Sequence, residues 1–174
     1  MHACRGKQHN PLLEAAVFYV LLHTGLRVGE LVALDLAQYH HRGFHDVARK
    51  GKRMQAKVPV PAEARGHLDR YIEEKRGETP GPLFVSLAGN RLHTSSVAAI
   101  CSRLAAQASV HGGADEAIKL TPHMLRHSFL KRYADKHGVH AAQAASGNVS
   151  FREIFRYTKP SPDELEEQAA GVFE

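Results

Sequence analysis

Between Pro11 and Leu22 the apolar residues Leu12, Leu13, Ala16, Val17, Val20 and Leu21 recur at helical spacing and form a stripe wide enough to demand burial. Thr24 and Gly25 then interrupt it, and Gly25 stands where a helix C-terminal stop is expected. From Val28 to Leu36 helical periodicity resumes, with Leu31, Val32 and Leu34 inward. Arg27 therefore falls at a tight turn between two packed helices, a rigid mount for a side chain that must not wander.

The pattern changes after Phe44. Two short β-like runs, Phe44 to Ala48 and Ala56 to Val60, flank the basic stretch KGKRMQ and read as a hairpin. Pro59 and Pro61 make the second run an edge, or end it quickly. Pro61 to Lys75 reads as a helix, Pro80 to Val85 as a third short strand, and Thr94 to Ala108 as a helix opened by Thr94 or Ser95. Thr121 followed by Pro122 is a helix start that sets His123 and Arg126 three apart on one face, able to reach the same small ligand. Ser150 to Glu153 and Ser161 to Glu164 are capping-box patterns, predicting a short helix into Tyr157 and a tail helix over 161–174. In that tail Leu165, Ala169, Val172 and Phe173 lie on or near one face. The whole is α+β, mostly α with a small antiparallel β-sheet. We expect one domain over 1–174, with 1–10 as a flexible lead-in.

A net charge of +5 favours a polyanionic partner without naming it. Two scattered cysteines, Cys4 and Cys101, exclude a disulfide framework and point to a reducing interior. No run approaches the roughly 18 apolar residues of a membrane span, so no membrane partner is expected and the location is read as cytoplasmic. His40, His41 and His45 lack any metal-ligand spacing and read as exposed loop histidines or phosphate contacts, so no metal site is expected.

The segments TGLRVGEL and LTPHMLRHSF resemble the "TGLRxxEL" and "xxPHxLRHxF" boxes of the tyrosine recombinase (phage integrase) family, and SGNVSFREIFRYTK is similar to its "LGHxxxxxTxxYxH" ending. The resemblance runs from about Leu12 to about Thr158, nearly the whole chain, and the two boxes together are highly specific. It implies a DNA breaking-rejoining fold with Arg27, Lys50, His123, Arg126, Asn148 and Tyr157 as catalytic residues. One departure stands out: Asn148, nine residues before Tyr157, occupies a position that the family fills with His or Trp. An amide donates one hydrogen bond but carries no charge and less ring surface, so activity is expected to be lower rather than lost.

The chemistry suits those residue types. A tyrosine hydroxyl attacks the phosphodiester, arginine forks grip the non-bridging oxygens bidentately, and an acid protonates the leaving 5′ oxygen. The resemblance assigns that acid to Lys50, with Lys52, Arg53 and Lys57 as rivals and as candidate DNA-binding residues. Glu30 reads either as orienting an arginine or as an ordinary exposed helix glutamate, and His127 as a packing residue behind the site. Because the phosphotyrosyl bond conserves energy, no cofactor, neither ATP nor metal, is required. The implied partners are double-stranded DNA and, in the full-length protein, a tetramer of itself on DNA, which makes the protein nucleoid-associated when bound. The N-terminal core-binding domain usual in the family is expected to be absent. Three alternatives remain at this stage: a type IB topoisomerase-like enzyme, a catalytically impaired DNA-binding relative suggested by Asn148, and a helical interaction module.

Overall fold

Asn10 opens the first helix, its side chain accepting the Leu13 N–H at 3.2 Å, with Pro11 at the position where a missing N–H does no harm. This helix, α1 (Pro11–Thr24), buries Leu13, Ala16, Val17, Val20 and Leu21, the stripe expected from the sequence. Gly25 ends it in the left-handed region, at φ 61°, and returns its N–H to the Leu21 carbonyl at 3.2 Å.

The computed structural model describes residues 9–49, 53–112 and 119–147, and the chain divides into two units, Met1–Phe129 and Leu130–Glu174. In the first unit, α2 (Val28–Ala33) follows the turn. It stops short of the expected Leu36, because its last carbonyls are claimed from outside. Arg91 donates to the Val32 and Leu34 carbonyls at 2.9 and 3.1 Å, and the Leu83 N–H donates to Leu34 at 2.9 Å, which holds Leu34 extended and buried. Val32 is only half-buried.

A 3-10 turn over Leu36–Gln38 leads into an antiparallel sheet of order β1 (Tyr39–His40), β2 (Gly43–Arg49), β3 (Arg53–Pro59). The hairpin and the edge position of its second strand agree with the sequence reading. The third strand does not come from Pro80 to Val85: Pro82 and Val85 form only isolated bridges, to Asp35 and Arg91. Pro80 and Pro82 remove two ladder donors from that segment, and its Leu83 and Phe84 go into the core instead.

Within β2 the inward face changes. Phe44 is buried, and strict alternation would turn Asp46 and Ala48 inward as well, yet these are exposed while Val47 and Arg49 are buried. The cause is Asp46, whose φ of 50° rotates the strand. Gln38 holds that kink by donating its side-chain amide to the His45 and Asp46 carbonyls at 3.1 and 2.8 Å.

Helix α3 (Ala62–Tyr71) packs against α1 and widens into a π turn, Ile72–Arg76, so that the expected helix to Lys75 is present with a changed period. Helix α4 (Thr94–Gly112) is capped by His93 rather than by Thr94 or Ser95, since the His93 Nδ1 accepts the Ser95 N–H at 3.3 Å. Helix α5 (Pro122–His137) begins as predicted, with the Thr121 hydroxyl accepting the Met124 N–H at 3.2 Å. Its C-terminal part belongs to the second unit, where α6 (Val139–Ser146) contributes Ala142 and Val139 to a small cluster with Ala134 and Tyr133. Both capping-box segments and the tail stripe lie outside the described residues, as does the lead-in up to residue 8. No helix among the described residues is long and apolar enough to cross a membrane.

Candidate active site

The turn between α1 and α2 is rigid by construction. The Thr24 hydroxyl donates back to the Val20 carbonyl at 2.6 Å, Leu26 is fully buried, and Arg27 enters α2 as its N-cap at φ −70°, ψ 149°. Glu30, one turn on, accepts the Arg27 N–H through Oε2 at 2.8 Å and the Arg27 guanidinium through Oε1 at 3.0 Å. The reading of Glu30 as an exposed helix glutamate is therefore corrected: it is 7% exposed and bound to Arg27.

Arg126 arrives at the same turn from α5. Its guanidinium donates to the Gly25 carbonyl, across 101 positions, and the residue is only 5% exposed. Gly25 admits this approach because it has no side chain. A Cβ there would stand 2.3 Å from Cδ1 of Phe129, one turn past Arg126 on α5. Two arginines that the sequence spaces far apart thus share one turn, Arg27 on it and Arg126 bound to its backbone. On the same helix His123 is exposed and His127 half-buried.

A third arginine, unexpected from the sequence, completes the cluster. Arg49, at the end of β2, is 6% exposed and pairs with Oε2 of Glu30, while its Nε donates to the Gln55 side chain at 2.8 Å. Burial pulls its guanidinium below the ordinary value; Glu30 opposes that shift and nearby Arg27 adds to it. Strand alternation from Phe44 points Arg49 outward and groups it with the basic run that follows, which is why sequence reasoning passed over it. The left-handed Asp46 reverses the facing, and a single sequence offers no sign of that.

Lys50, Lys52, Asn148 and Tyr157 lie outside the described residues. Arg53 opens β3, and its side chain is likewise outside the described part. Lys57 is exposed and pairs with His45, four residues along β3 from Arg53, which sets it about 14 Å from the strand's start. His40 and His45 stack at 3.9 Å between ring centroids with His41 edge-on to both. Among the described residues no group of three or more His, Cys, Asp or Glu is arranged to hold a metal ion.

This helical frame with its small sheet is a fold shared with solved recombinases. The Tn1549 transposon integrase, seen in complex with transposon right end DNA, superposes with a TM-score of 0.72 at 20% identity, over 98% of this chain and 62% of that one. Residues 1–164 match the phage integrase family, and the chain belongs to that family. Its relatives include tyrosine recombinase XerD of Mycobacterium tuberculosis, 32% identical over 173 residues, covering 92% of this chain and 52% of the relative. Tyrosine recombinase XerC of Corynebacterium efficiens is 30% identical over 156 residues, covering 87% of this chain and 48% of the relative. The chain spans about half the length of the curated relatives it matches.

Proposed function

We propose that this chain is the catalytic domain of a site-specific DNA recombinase, a single domain over 1–174 that cuts and rejoins duplex DNA through a 3′-phosphotyrosyl intermediate. The Tyr157 hydroxyl attacks the scissile phosphorus and releases its proton to solvent, the bond from phosphorus to the 5′ oxygen breaks, and that oxygen takes a proton from the Lys50 ammonium, which is reprotonated from solvent. Arg27, Arg126, His123 and Asn148 meet the negative charge that builds on the non-bridging oxygens, a contribution that grows in the transition state and therefore accelerates the step. Religation reverses the sequence with a different 5′ hydroxyl. Lys52, Arg53 and Lys57 hold the backbone of the DNA. The full-length protein assembles as a tetramer on DNA, cytoplasmic and nucleoid-associated when bound.

The observation that carries this reading is the binding of Arg126 to the backbone of the turn that bears Arg27. Two buried or half-buried guanidinium groups converging on one rigid turn suit a dianionic phosphorane better than they suit an interaction module. The family's relatives named as tyrosine recombinases support the same chemistry, and the Tn1549 integrase, bound to DNA, supports the same substrate class.

The test is incubation of the chain with a randomised library of nicked duplexes that trap the cleaved strand. An adduct resistant to SDS is expected, and its absence from Tyr157→Phe. No adduct, or an equal yield from the variant, would overturn the assignment.

A further inference from the structure

We propose that His40, His41, Arg42 and His45 join Lys57 in a second contact surface for the phosphates of duplex DNA, on the outer face and first turn of the sheet rather than at the arginine cluster. The inference rests on the DNA substrate proposed above and gives it a contact that neither sequence box contains.

Strand register brings these cations together. His40 pairs with Gly43, and His45 with Lys57, so residues 40, 43, 45 and 57 face one way while Phe44 and Val58 are buried on the other side. The ring of His40 stacks on that of His45, at 3.9 Å between centroids, and His41 stands edge-on to both. Gly43 leaves room for the stem of Lys57, since a Cβ there would lie 3.4 Å from the Lys57 Cε. The stem thus runs over β2 on the side where His40 stands.

The turn supplies an independent observation. His41 and Arg42 are the two residues between β1 and β2, and both are left-handed, at φ 46° and 64°. Such a turn favours Asn-Gly, and a long side chain there is strained. Both residues are exposed, so little burial offsets that strain. What the strained turn presents to solvent is an imidazole and a guanidinium at the head of the histidine stack.

Charge decides what this surface fits. His41 and Arg42 face His40 from the turn, His45 and Asp46 from β2, and Lys57 from β3. Desolvation of the stacked ring comes first in holding His40 below its ordinary value; His45 and His41 follow, Lys57 adds to them, and only Asp46 opposes. A phosphate supplies the missing countercharge and raises the proton affinity of His40. A duplex presents a row of phosphates, which suits cations spread over three strands and a turn better than one small anion does. Binding therefore takes up protons. Because the His40 pKa is higher in the complex than in the free chain, affinity gains at low pH, and the gain is lost as pH rises through the bound value.

The test measures binding of the 174-residue chain to a fluorescent, unnicked duplex at constant ionic strength, at about pH 6 and about pH 8, either side of the ordinary histidine value. The wild-type chain is expected to bind up to about tenfold tighter at the lower pH, the scale of one pKa unit. His40→Gln/His45→Gln should bring that ratio to about threefold or less, whereas His123→Gln should leave most of it. A double variant with the wild-type ratio overturns the proposal. Arg42→Gly needs no histidine and separates binding from folding. Relief of the strained turn should raise its urea midpoint, while the lost contact lowers the slope of log affinity against log salt by about 0.9. An unchanged slope overturns the proposal whatever the midpoint does. Cleavage is not read in either measurement: a chain that binds duplex with these responses but forms no adduct fails the recombinase reading alone, and a chain that binds duplex at neither pH overturns both.

Discussion

Gly25 meets two requirements at once, and each predicts the same sign for its replacement. Its φ of 61° strains any side chain, and a Cβ would collide with Phe129 at 2.3 Å. Gly25→Ala should destabilise the chain by about 1–3 kcal/mol, the range of strain at a left-handed position, read as a lowered urea midpoint. Arg126→Ala should slow DNA cleavage by about two orders of magnitude, as for a lost oxyanion donor. Arg126→Lys should recover little of it, because an ammonium is a point charge without the planar fork that lets one nitrogen stay on the Gly25 carbonyl while others face a phosphate. How much of this was legible in the sequence differs residue by residue. Arg27 and Arg126 were legible because each sits in a dense local pattern. Arg49 was not, because the fact that buries it is a backbone angle at Asp46, three residues away.

At the scale of elements, helix starts and stops written in capping chemistry were read correctly. Asn10–Pro11 and Thr121–Pro122 open helices, and Gly25 closes one. Thr121→Ala should therefore cost about 1 kcal/mol, the usual worth of an N-cap, measured by the same denaturation. Elements shaped by distant partners were misread: α2 ends early because Arg91 and Leu83 take its carbonyls, and His93 rather than a hydroxyl caps α4. Helix α4 also buries Cys101, and burial pushes that thiol up to about 11 from 9.0. In the unfolded chain the thiol ionises above 9.0, while in the folded chain it stays protonated to about 11. The unfolded state thus binds fewer protons in that window, and stability falls as pH rises through it. Cys101→Ala should flatten that decline in urea titrations between pH 9 and 11.

For the whole molecule, a net charge of +5 and the exposed Lys57 on the edge strand make salt the readout of the proposed DNA binding. Affinity should fall linearly on a logarithmic salt plot, and Lys57→Ala should reduce the slope by about 0.9, the increment of one phosphate contact. An unchanged slope would remove Lys57 from the DNA surface. The hydrogen bond from Arg126 to Gly25 gives the candidate site a dependence on the order of synthesis. In a chain made from its N-terminus, the turn with Arg27 is complete while Arg126, 101 positions after Gly25, is still to be made. Closing so long a loop costs little more than closing one half its length, about 0.6 kcal/mol, so insertions between the two ends change that cost only slightly. An unfinished chain, however, has the first arginine without the second. On the proposed function, holding a phosphate between them is expected only of chains that extend past Arg126, and a product truncated before it should bind DNA without cutting it.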